Sequence, residues 1–146
     1  MSPAGHYSPA VSHAGIVYVS GQLSLRPGDK TRHLGTVAEQ TEVALGNVEA
    51  VLQAAGSRMD RLIQVTIYVS DVAHWPEVNE VYARILGDHK PARAIVPVPA
   101  LNHGCALEIQ AMAAVEKPGR SIMTKSNHRQ GPRLGHSSVL LEGFSV

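Results

Sequence analysis

The chain has 146 residues, of which 44% are hydrophobic and 17% are charged, and its formal net charge is +1. This length fits a single domain with enough apolar residues for a core. The near-zero net charge argues against a general electrostatic attraction to nucleic acid or to an anionic membrane. The single cysteine, Cys105, excludes an intrachain disulfide and a cysteine-based zinc site, and we expect a small buried side chain there.

The charge is divided unevenly along the chain. Residues 1–117 hold 9 Lys+Arg and 11 Asp+Glu, a net charge of −2, whereas residues 118–146 hold 4 Lys+Arg and 1 Glu, a net charge of +3. The second segment is rich in Gly, Ser, His and Arg and lacks a helical or strand period. We therefore predict one folded domain over residues 1–117 and a basic, poorly ordered tail over residues 118–146. No secretory signal or apolar membrane span is visible, so we expect a cytoplasmic protein.

In chain order, the first predicted element is a β-strand over residues 16–20, where a run rich in β-branched residues ends at a glycine. Turn residues predict a loop over residues 24–35. From its position we expect this loop to influence which ligand the domain binds. Thr36 and Glu39 then fit a capping box, and a helix is predicted to follow and to close at Gly56. Its apolar face repeats at helical spacing and consists of Val37, Thr41, Ala44, Leu45, Val48, Val51 and Leu52.

The second half of the domain alternates between strand and helix patterns. Residues 61–69 alternate as a strand, with Ile63 on the face of Val65 and with Leu62 on the opposite face. A second helix is predicted from Trp75 to Gly87, with Pro76 in its first turn. Two further strands are predicted over residues 94–98 and 105–115, the former at a sheet edge or bulge because of its prolines.

The predicted order is β-loop-α-β-α-β-β, which is typical of an α+β fold with two helices packed on one face of a mixed β-sheet. Two helices leave the other sheet face uncovered. That face is either solvated or packed against copies of the same chain. Its apolar members favour self-association, and they are Leu62, Tyr68, Met112 and Ala114.

Two charged residues of the last two strands form a candidate pair. If these strands make a hairpin around residues 100–103, Arg93 lies opposite Gln110, and Glu108 is a diagonal neighbour roughly 7–8 Å away. Glu108 is expected to point away from the helix-covered core. The pair is either a cross-strand ion pair, which contributes little stability when exposed, or the two sides of a small pocket. Spacing alone favours the ion pair.

Several short motifs follow one another between residues 4 and 115. They are Gly5-His6-Tyr7-Ser8-Pro9-Ala10, Val19-Ser20-Gly21-Gln22, Gln40-Thr41 with Leu45-Gly46-Asn47-Val48, Ala54-Ala55-Gly56, Val78-Asn79-Glu80-Val81-Tyr82, Pro91-Ala92-Arg93 and Leu107-Glu108-Ile109-Gln110-Ala111. In these motifs and in their order the chain resembles the YjgF/YER057c-type family, the RidA-like imine deaminases. The resemblance covers about three quarters of the chain.

The resemblance implies a chorismate-mutase-like, RidA-like α+β fold that assembles as a homotrimer with pockets in the subunit clefts. It also implies hydrolysis of reactive enamines and imines, such as 2-aminoacrylate, to 2-keto acids and ammonia. No metal or organic cofactor is implied. The expected partners are a small 2-imino or 2-keto acid and further copies of the chain, while neither a membrane nor nucleic acid is expected.

The residues that match the family motifs suit this reaction. A guanidinium can hold the carboxylate of a 2-imino acid through two parallel hydrogen bonds, and we assign this role to Arg93. A carboxylate can take a proton from the attacking water and pass it to the leaving ammonia, and we assign this role to Glu108. Tyr7, Ser20 and Asn79 match substrate-binding positions of the family. Without the family, they are a sheet-edge cap, a turn residue and a helix-surface amide.

Two other functions remain open at this stage. One is a non-catalytic trimer that binds small carboxylates as a regulatory protein, which would need Arg93 but not Glu108. The other is a ribonuclease or translation inhibitor, a role attributed to some relatives. The net negative charge of residues 1–117 argues against binding a phosphate backbone, so any contact with RNA would fall to the basic tail. The eight histidines show no metal-ligand spacing.

Overall fold

The computed structural model describes residues 5–115, and it contains a five-stranded sheet and two α-helices. The elements are β1 (Ala10–His13), β2 (Ile16–Leu23), α1 (Val37–Ala54), β3 (Leu62–Val69), α2 (Trp75–Leu86), β4 (Ala92–Pro97) and β5 (Leu107–Ala114). Short 3-10 turns lie at Met59–Arg61, Val72–His74 and Asn102–Gly104. The predicted tail lies outside the described residues, so the division after residue 117 stays a prediction.

The strand order in the sheet is β1-β2-β5-β3-β4. Only β3 and β4 pair in parallel, while the other neighbours are antiparallel. The predicted mixed sheet in an α+β fold is therefore confirmed. The prolines of the fourth strand were expected at a sheet edge, and β4 is an edge strand.

The predicted hairpin between the last two strands is wrong. Helix α2 carries the chain across the sheet, so β4 returns parallel to β3, as crossover connections require. Residues 98–106 then lead to β5, which inserts between β2 and β3. These nine residues can span about 30 Å, which is enough to pass over β3 and reach the position of β5. A tight turn between β4 and β5 is therefore not required.

The core lies between the two helices and one face of the sheet. The predicted apolar face of α1 is buried, with Val37 partly so. The capping box is also confirmed, because the Glu39 amide donates to Thr36 Oγ1 at 3.1 Å and the Thr36 amide donates to Glu39 Oε2 at 2.8 Å. Gly56 has φ +77°, the left-handed conformation expected of a residue that closes a helix.

The strand alternation fails at the start of β3. The pairing of β3 with β5 shifts between Leu62 and Gln64, so an extra residue enters the strand as a bulge. Leu62 is consequently only 3% exposed, whereas Ile63 is 45% exposed. The predicted faces of these two side chains are therefore wrong, because Leu62 is part of the core and Ile63 is not.

Strand β1 was not predicted. It forms a hairpin with β2 through the turn residues Ala14 and Gly15, whose φ values are +51° and +79°. Two consecutive positive φ angles define a type I′ turn, which matches the twist of paired strands. A non-glycine residue in this conformation is uncommon, and a strand of only four residues carries almost no period, so the sequence signal was weak.

The second face of the sheet carries no helix in the part of the chain that the structure describes. It presents partly exposed side chains, among them Tyr18, which is 44% exposed, together with Thr66, Tyr68 and Met112. Among the described elements this face is therefore uncovered, as expected. No helix within residues 5–115 is both long and apolar enough to cross a bilayer.

Candidate functional site

The two residues assigned to catalysis lie on opposite faces of the sheet. Arg93 pairs with core residue Val65, so its side chain lies on the helix-covered face of the sheet. Glu108 lies between the buried residues Leu107 and Ile109 of β5, so its side chain lies on the opposite face. Strand β3 separates their strands, and the register sets them three positions apart. From strand spacing and rise, their Cα atoms are roughly 14 Å apart. Both the ion pair and the shared pocket within one chain are therefore wrong.

Arg93 lies in the first of two clefts, which we call the arginine cleft. Its Nη1 donates to Asn79 Oδ1 at 2.9 Å, and its guanidinium carbon lies 4.7 Å from the centre of the Tyr82 ring. The cleft has a volume of about 350 Å³ and is lined by Asn79, Tyr82, Ala83, Leu86, Gly87, His89, Lys90, Pro91 and Arg93. The structure thus brings together two predicted site residues, Asn79 and Arg93.

The arginine cleft is cationic. Its lining residues include Arg93 and Lys90 and no acidic residue, and no carboxylate of residues 5–115 forms a salt bridge with Arg93. Burial raises the pKa of the Tyr82 hydroxyl, and the positive charge of Arg93 opposes this shift. Tyr82 is therefore protonated at neutral pH, and the site favours an anionic ligand.

The sequence places Tyr82 in the motif of the second helix but does not single it out as a site residue. It lies three residues after Asn79, a spacing that puts both side chains on neighbouring positions of one helical face. That spacing was available in the sequence. The parallel pairing that brings Arg93 beside this face was not, because it depends on the crossover through α2.

Glu108 lies in the second cleft, which we call the glutamate cleft. This cleft has a volume of about 360 Å³ and is lined by Tyr7, Ser20, Gly21, Leu23, Asn102 and Glu108. Three predicted site residues, Tyr7, Ser20 and Glu108, are therefore brought together. Asn102 was missed, because it comes from a connecting turn that no periodic pattern marks.

A bulge in β2 shapes the glutamate cleft. The pairing of β2 with β5 shifts between Val19 and Gln22, which takes Ser20 and Gly21 out of the regular ladder. A Cβ atom on Gly21 would collide with the carboxylate of Glu108. Glycine at this position therefore lets the Glu108 side chain lie directly against the backbone of β2.

Ser20 ties the segment that holds Tyr7 to the sheet. Its hydroxyl donates to the Ser8 carbonyl at 2.6 Å, and its amide donates to the Pro9 carbonyl at 2.9 Å. Because a hydroxyl has one proton, Ser20 Oγ is left as an acceptor toward the cleft. Tyr7 itself is 51% exposed, so its hydroxyl is available to a ligand.

The predicted loop 24–35 is anchored at both ends to α1. Asn47 Nδ2 donates to the Leu23 carbonyl at 3.0 Å and to the Leu25 carbonyl at 2.9 Å, and Gln40 Nε2 donates to the Gly35 carbonyl at 3.2 Å. Both amide side chains are buried. Buried polar residues of α1 thus anchor both ends of the loop, the first of which follows directly after Leu23 of the glutamate cleft.

Cys105 is 1% exposed, as expected for a small core residue. It opens the segment that leads into β5, and the following amide of Ala106 donates to Gln40 Oε1 at 2.8 Å. Within residues 5–115 no cluster of His, Cys, Asp or Glu side chains is arranged to hold a metal ion.

The α+β topology and the motifs of the two clefts are found together in one protein family. The family model described as Endoribonuclease L-PSP matches residues 1–115, and the chain belongs to this family, which includes the YjgF and RidA proteins that the motifs resemble. The motifs of both clefts lie within the residues that the family model matches.

Three relatives illustrate the family. Protein HMF1 of Saccharomyces cerevisiae is 38% identical over 111 residues, which cover 76% of this chain and 85% of that protein. The human 2-iminobutanoate/2-iminopropanoate deaminase is 36% identical over 109 residues, covering 75% and 80%. The crystal structure of Escherichia coli TdcF with bound serine superposes with a TM-score of 0.71 at 31% identity and covers 77% of this chain and 90% of that one.

Proposed function

We propose that the protein hydrolyses reactive 2-imino acids and their enamine tautomers, of the 2-aminoacrylate type, to 2-keto acids and ammonia. The observation that carries this proposal is the guanidinium of Arg93, which is held by Asn79 and Tyr82 and has no carboxylate partner among residues 5–115. A small substrate carboxylate is its natural counter-ion. The human relative named as a 2-iminobutanoate/2-iminopropanoate deaminase supports the same substrate class.

The proposal includes a homotrimer in which the arginine cleft of one subunit meets the glutamate cleft of the next. A small 2-imino acid cannot touch both Arg93 and Glu108 of one chain, because these residues lie on opposite sheet faces roughly 14 Å apart. The uncovered sheet face, with Tyr18 and Met112, supplies apolar surface for the contact between subunits. A site shared between subunits would be complete only in the assembly.

In the proposed reaction Arg93 binds the substrate carboxylate through two parallel N–H···O bonds and so orients the C=N carbon. Glu108 takes a proton from the water that attacks this carbon of the protonated imine, which gives a tetrahedral amino alcohol. Glu108 passes this proton to the nitrogen, and the C–N bond breaks while Glu108 takes the proton of the hydroxyl group, so that ammonia and the 2-keto acid leave. Ammonia or solvent water then takes that proton and restores the carboxylate. Tyr7 donates a hydrogen bond to substrate or water, and Ser20 Oγ accepts one from the water.

The reaction needs neither a metal nor an organic cofactor, since the imine carbon is already electrophilic. Dialysis against a chelator is therefore expected to leave the rate unchanged, and a loss that added metal restores would contradict this part of the proposal.

We assign the reaction to the cytoplasm, and cell fractionation with an antibody against the chain tests the compartment.

The direct experiment generates 2-aminoacrylate with a pyridoxal-phosphate lyase and follows the release of pyruvate. The wild-type protein is expected to accelerate release, whereas Arg93→Ala and Glu108→Gln are expected to slow the catalysed release by at least about 100-fold. A suitable control is Arg84→Ala, because Arg84 lies on the exposed side of α2 and pairs only with Glu42 of α1 in the described residues. Equal rates for wild type and Arg93→Ala would refute the proposal.

A second candidate is a regulatory protein that binds small carboxylates without turning them over. The TdcF relative with bound serine favours it, since serine carries the same carboxylate anchor. Binding of 2-ketobutyrate by titration calorimetry separates the two functions. Binding that is lost in Arg93→Ala, combined with no effect of the wild type on pyruvate release, would support the binding protein.

The description of the family as an endoribonuclease makes RNA a third candidate ligand. Residues 1–117 carry a net charge of −2, so any affinity for a phosphate backbone is expected to come from residues 118–146. Deleting residues 118–146 should therefore abolish RNA binding measured at two salt concentrations. Cleavage of RNA by the truncated protein would contradict this account.

A further inference from the structure

Tyr82 is the least explained residue of the arginine cleft. Its side chain is 7% exposed, and its hydroxyl oxygen is buried without a hydrogen-bond partner in the described part of the chain. Phenylalanine would fill the same space without leaving a polar atom unpaired. Within residues 5–115 the hydroxyl therefore makes no contact that links it to the cleft, and the contact of Tyr82 with the site is the one between its ring face and Arg93.

We propose that Tyr82 is a positioning residue, whose ring face holds the Arg93 guanidinium so that its N–H edge is presented to the substrate carboxylate. This inference rests on the proposed function, since it takes Arg93 as the carboxylate anchor. The guanidinium lies 4.7 Å from the ring centre, well within the range of a cation–π contact. Asn79 Oδ1 adds a hydrogen bond at 2.9 Å from the side, so two residues of α2 fix the orientation of a residue on β4.

The two contacts do not compete with substrate binding. A ring attracts a guanidinium through its face, whereas all hydrogen bonds of the guanidinium run in its plane. Asn79 occupies only one of the in-plane N–H groups, on Nη1, which leaves another edge free for a bidentate carboxylate.

Pre-orientation lowers the entropic cost of binding. A long arginine side chain loses rotamer freedom when it grips a ligand, and here most of that loss has occurred before the ligand arrives. Burial of the ring also removes water from one face of the guanidinium, which strengthens the cation–π contact. Both effects act on affinity for the substrate and not on the proton transfer, which the proposal assigns to Glu108.

The experiment measures KM and kcat for imine hydrolysis and, independently, the dissociation constant of 2-ketobutyrate, on the full chain. Tyr82→Leu is expected to raise KM and the dissociation constant by roughly 3- to 30-fold, the strength of a partly desolvated cation–π contact, while kcat stays within about twofold. Tyr82→Phe keeps the ring and is expected to rescue both constants to near the wild-type values.

Val78→Ala is the matched control, because Val78 is a fully buried residue of the same helix that does not line the cleft. It is expected to lower Tm without changing KM. If Val78→Ala raises KM as much as Tyr82→Leu does, Tyr82 acts only through the stability of α2 and the inference is overturned. If Tyr82→Phe loses as much affinity as Tyr82→Leu, the hydroxyl and not the ring face is responsible, which also overturns it.

A graded series keeps the test informative if Tyr82→Leu does not fold. Fluorinated phenylalanines incorporated at position 82 keep the size of the ring while withdrawing electron density from its face. The dissociation constant of 2-ketobutyrate is expected to rise stepwise with each added fluorine, and a flat series would refute the ring-face role.

The two proposals fail in distinguishable ways. If Arg93→Ala abolishes 2-ketobutyrate binding while the Tyr82 series has no effect, only the positioning role is wrong. If Arg93→Ala binds 2-ketobutyrate like the wild type, Arg93 is not the carboxylate anchor, and the proposed function and the role of Tyr82 fall together.

Discussion

The two clefts differ in how they are built. The arginine cleft is organised by side chains, since Asn79 and Tyr82 of α2 fix Arg93 of β4. The glutamate cleft is organised by the backbone, since a bulge and a glycine in β2 leave space for Glu108. Within residues 5–115 the Glu108 carboxylate has no hydrogen-bond or ion-pair partner. The fixed guanidinium of the arginine cleft fits the proposed binding of a carboxylate. The unpaired carboxylate of the glutamate cleft fits the proposed transfer of a proton.

The largest expected effect separates these two roles. Glu108→Gln keeps the shape of the side chain but removes the base, so kcat should fall by about 10²- to 10⁴-fold while the dissociation constant of 2-ketobutyrate stays near that of wild type. Steady-state kinetics and calorimetry measure the two quantities. Glu80→Gln, on the exposed side of α2, is the control. A loss of ligand affinity equal to the loss of kcat would show that Glu108 binds rather than catalyses.

Mixing two inactive variants tests whether the clefts meet between subunits. If each site takes Arg93 from one subunit and Glu108 from the next, co-assembled Arg93→Ala and Glu108→Gln chains should regain activity at about a quarter of the sites, because random assembly pairs the two intact residues with that frequency. The readout is pyruvate release after refolding an equimolar mixture. Either variant refolded alone is the control, and a mixture as inactive as its components would contradict a shared site.

A smaller effect is expected from the glycine of the glutamate cleft. Gly21→Ala introduces a Cβ atom where the Glu108 carboxylate lies, and the flexible carboxylate must move away. We expect kcat to fall by roughly tenfold with little change in Tm, since the displaced group is the end of a long side chain. Gly46→Ala is the control: it lies in α1 with open space around it and should stabilise the protein by about 0.5–1 kcal/mol. An unchanged kcat in Gly21→Ala would show that Gly21 does not contribute to the catalytic site.

The smallest effect is expected in the arginine cleft. Asn79→Ala removes one hydrogen bond from Arg93 but leaves the ring contact, so the dissociation constant of 2-ketobutyrate should rise by about 3- to 10-fold, with kcat nearly constant. Asn79→Asp should weaken binding further, because its carboxylate would compete with the ligand for the guanidinium. Tighter binding in Asn79→Asp would contradict the assignment of Arg93 as the anion site.

Local patterns predicted most of the elements. The capping box of Thr36 and Glu39, the buried face of α1 and the outward direction of Glu108 were all correct. The local patterns did not predict two features, the hairpin turn at Ala14 and the bulge after Leu62. Both depend on backbone conformations that a period in the sequence does not reveal.

The family and the candidate residues also followed from the sequence, but their arrangement did not. The motifs singled out Arg93, Glu108, Tyr7, Ser20 and Asn79, and the structure sorts them into two clefts. A helical or strand pattern arises from interactions among residues a few positions apart, so the sequence by itself determined the elements and the chemistry they carry. Strand neighbours are chosen by burial and by the crossover through α2, so only the tertiary structure decided that Arg93 and Glu108 of one chain face away from each other.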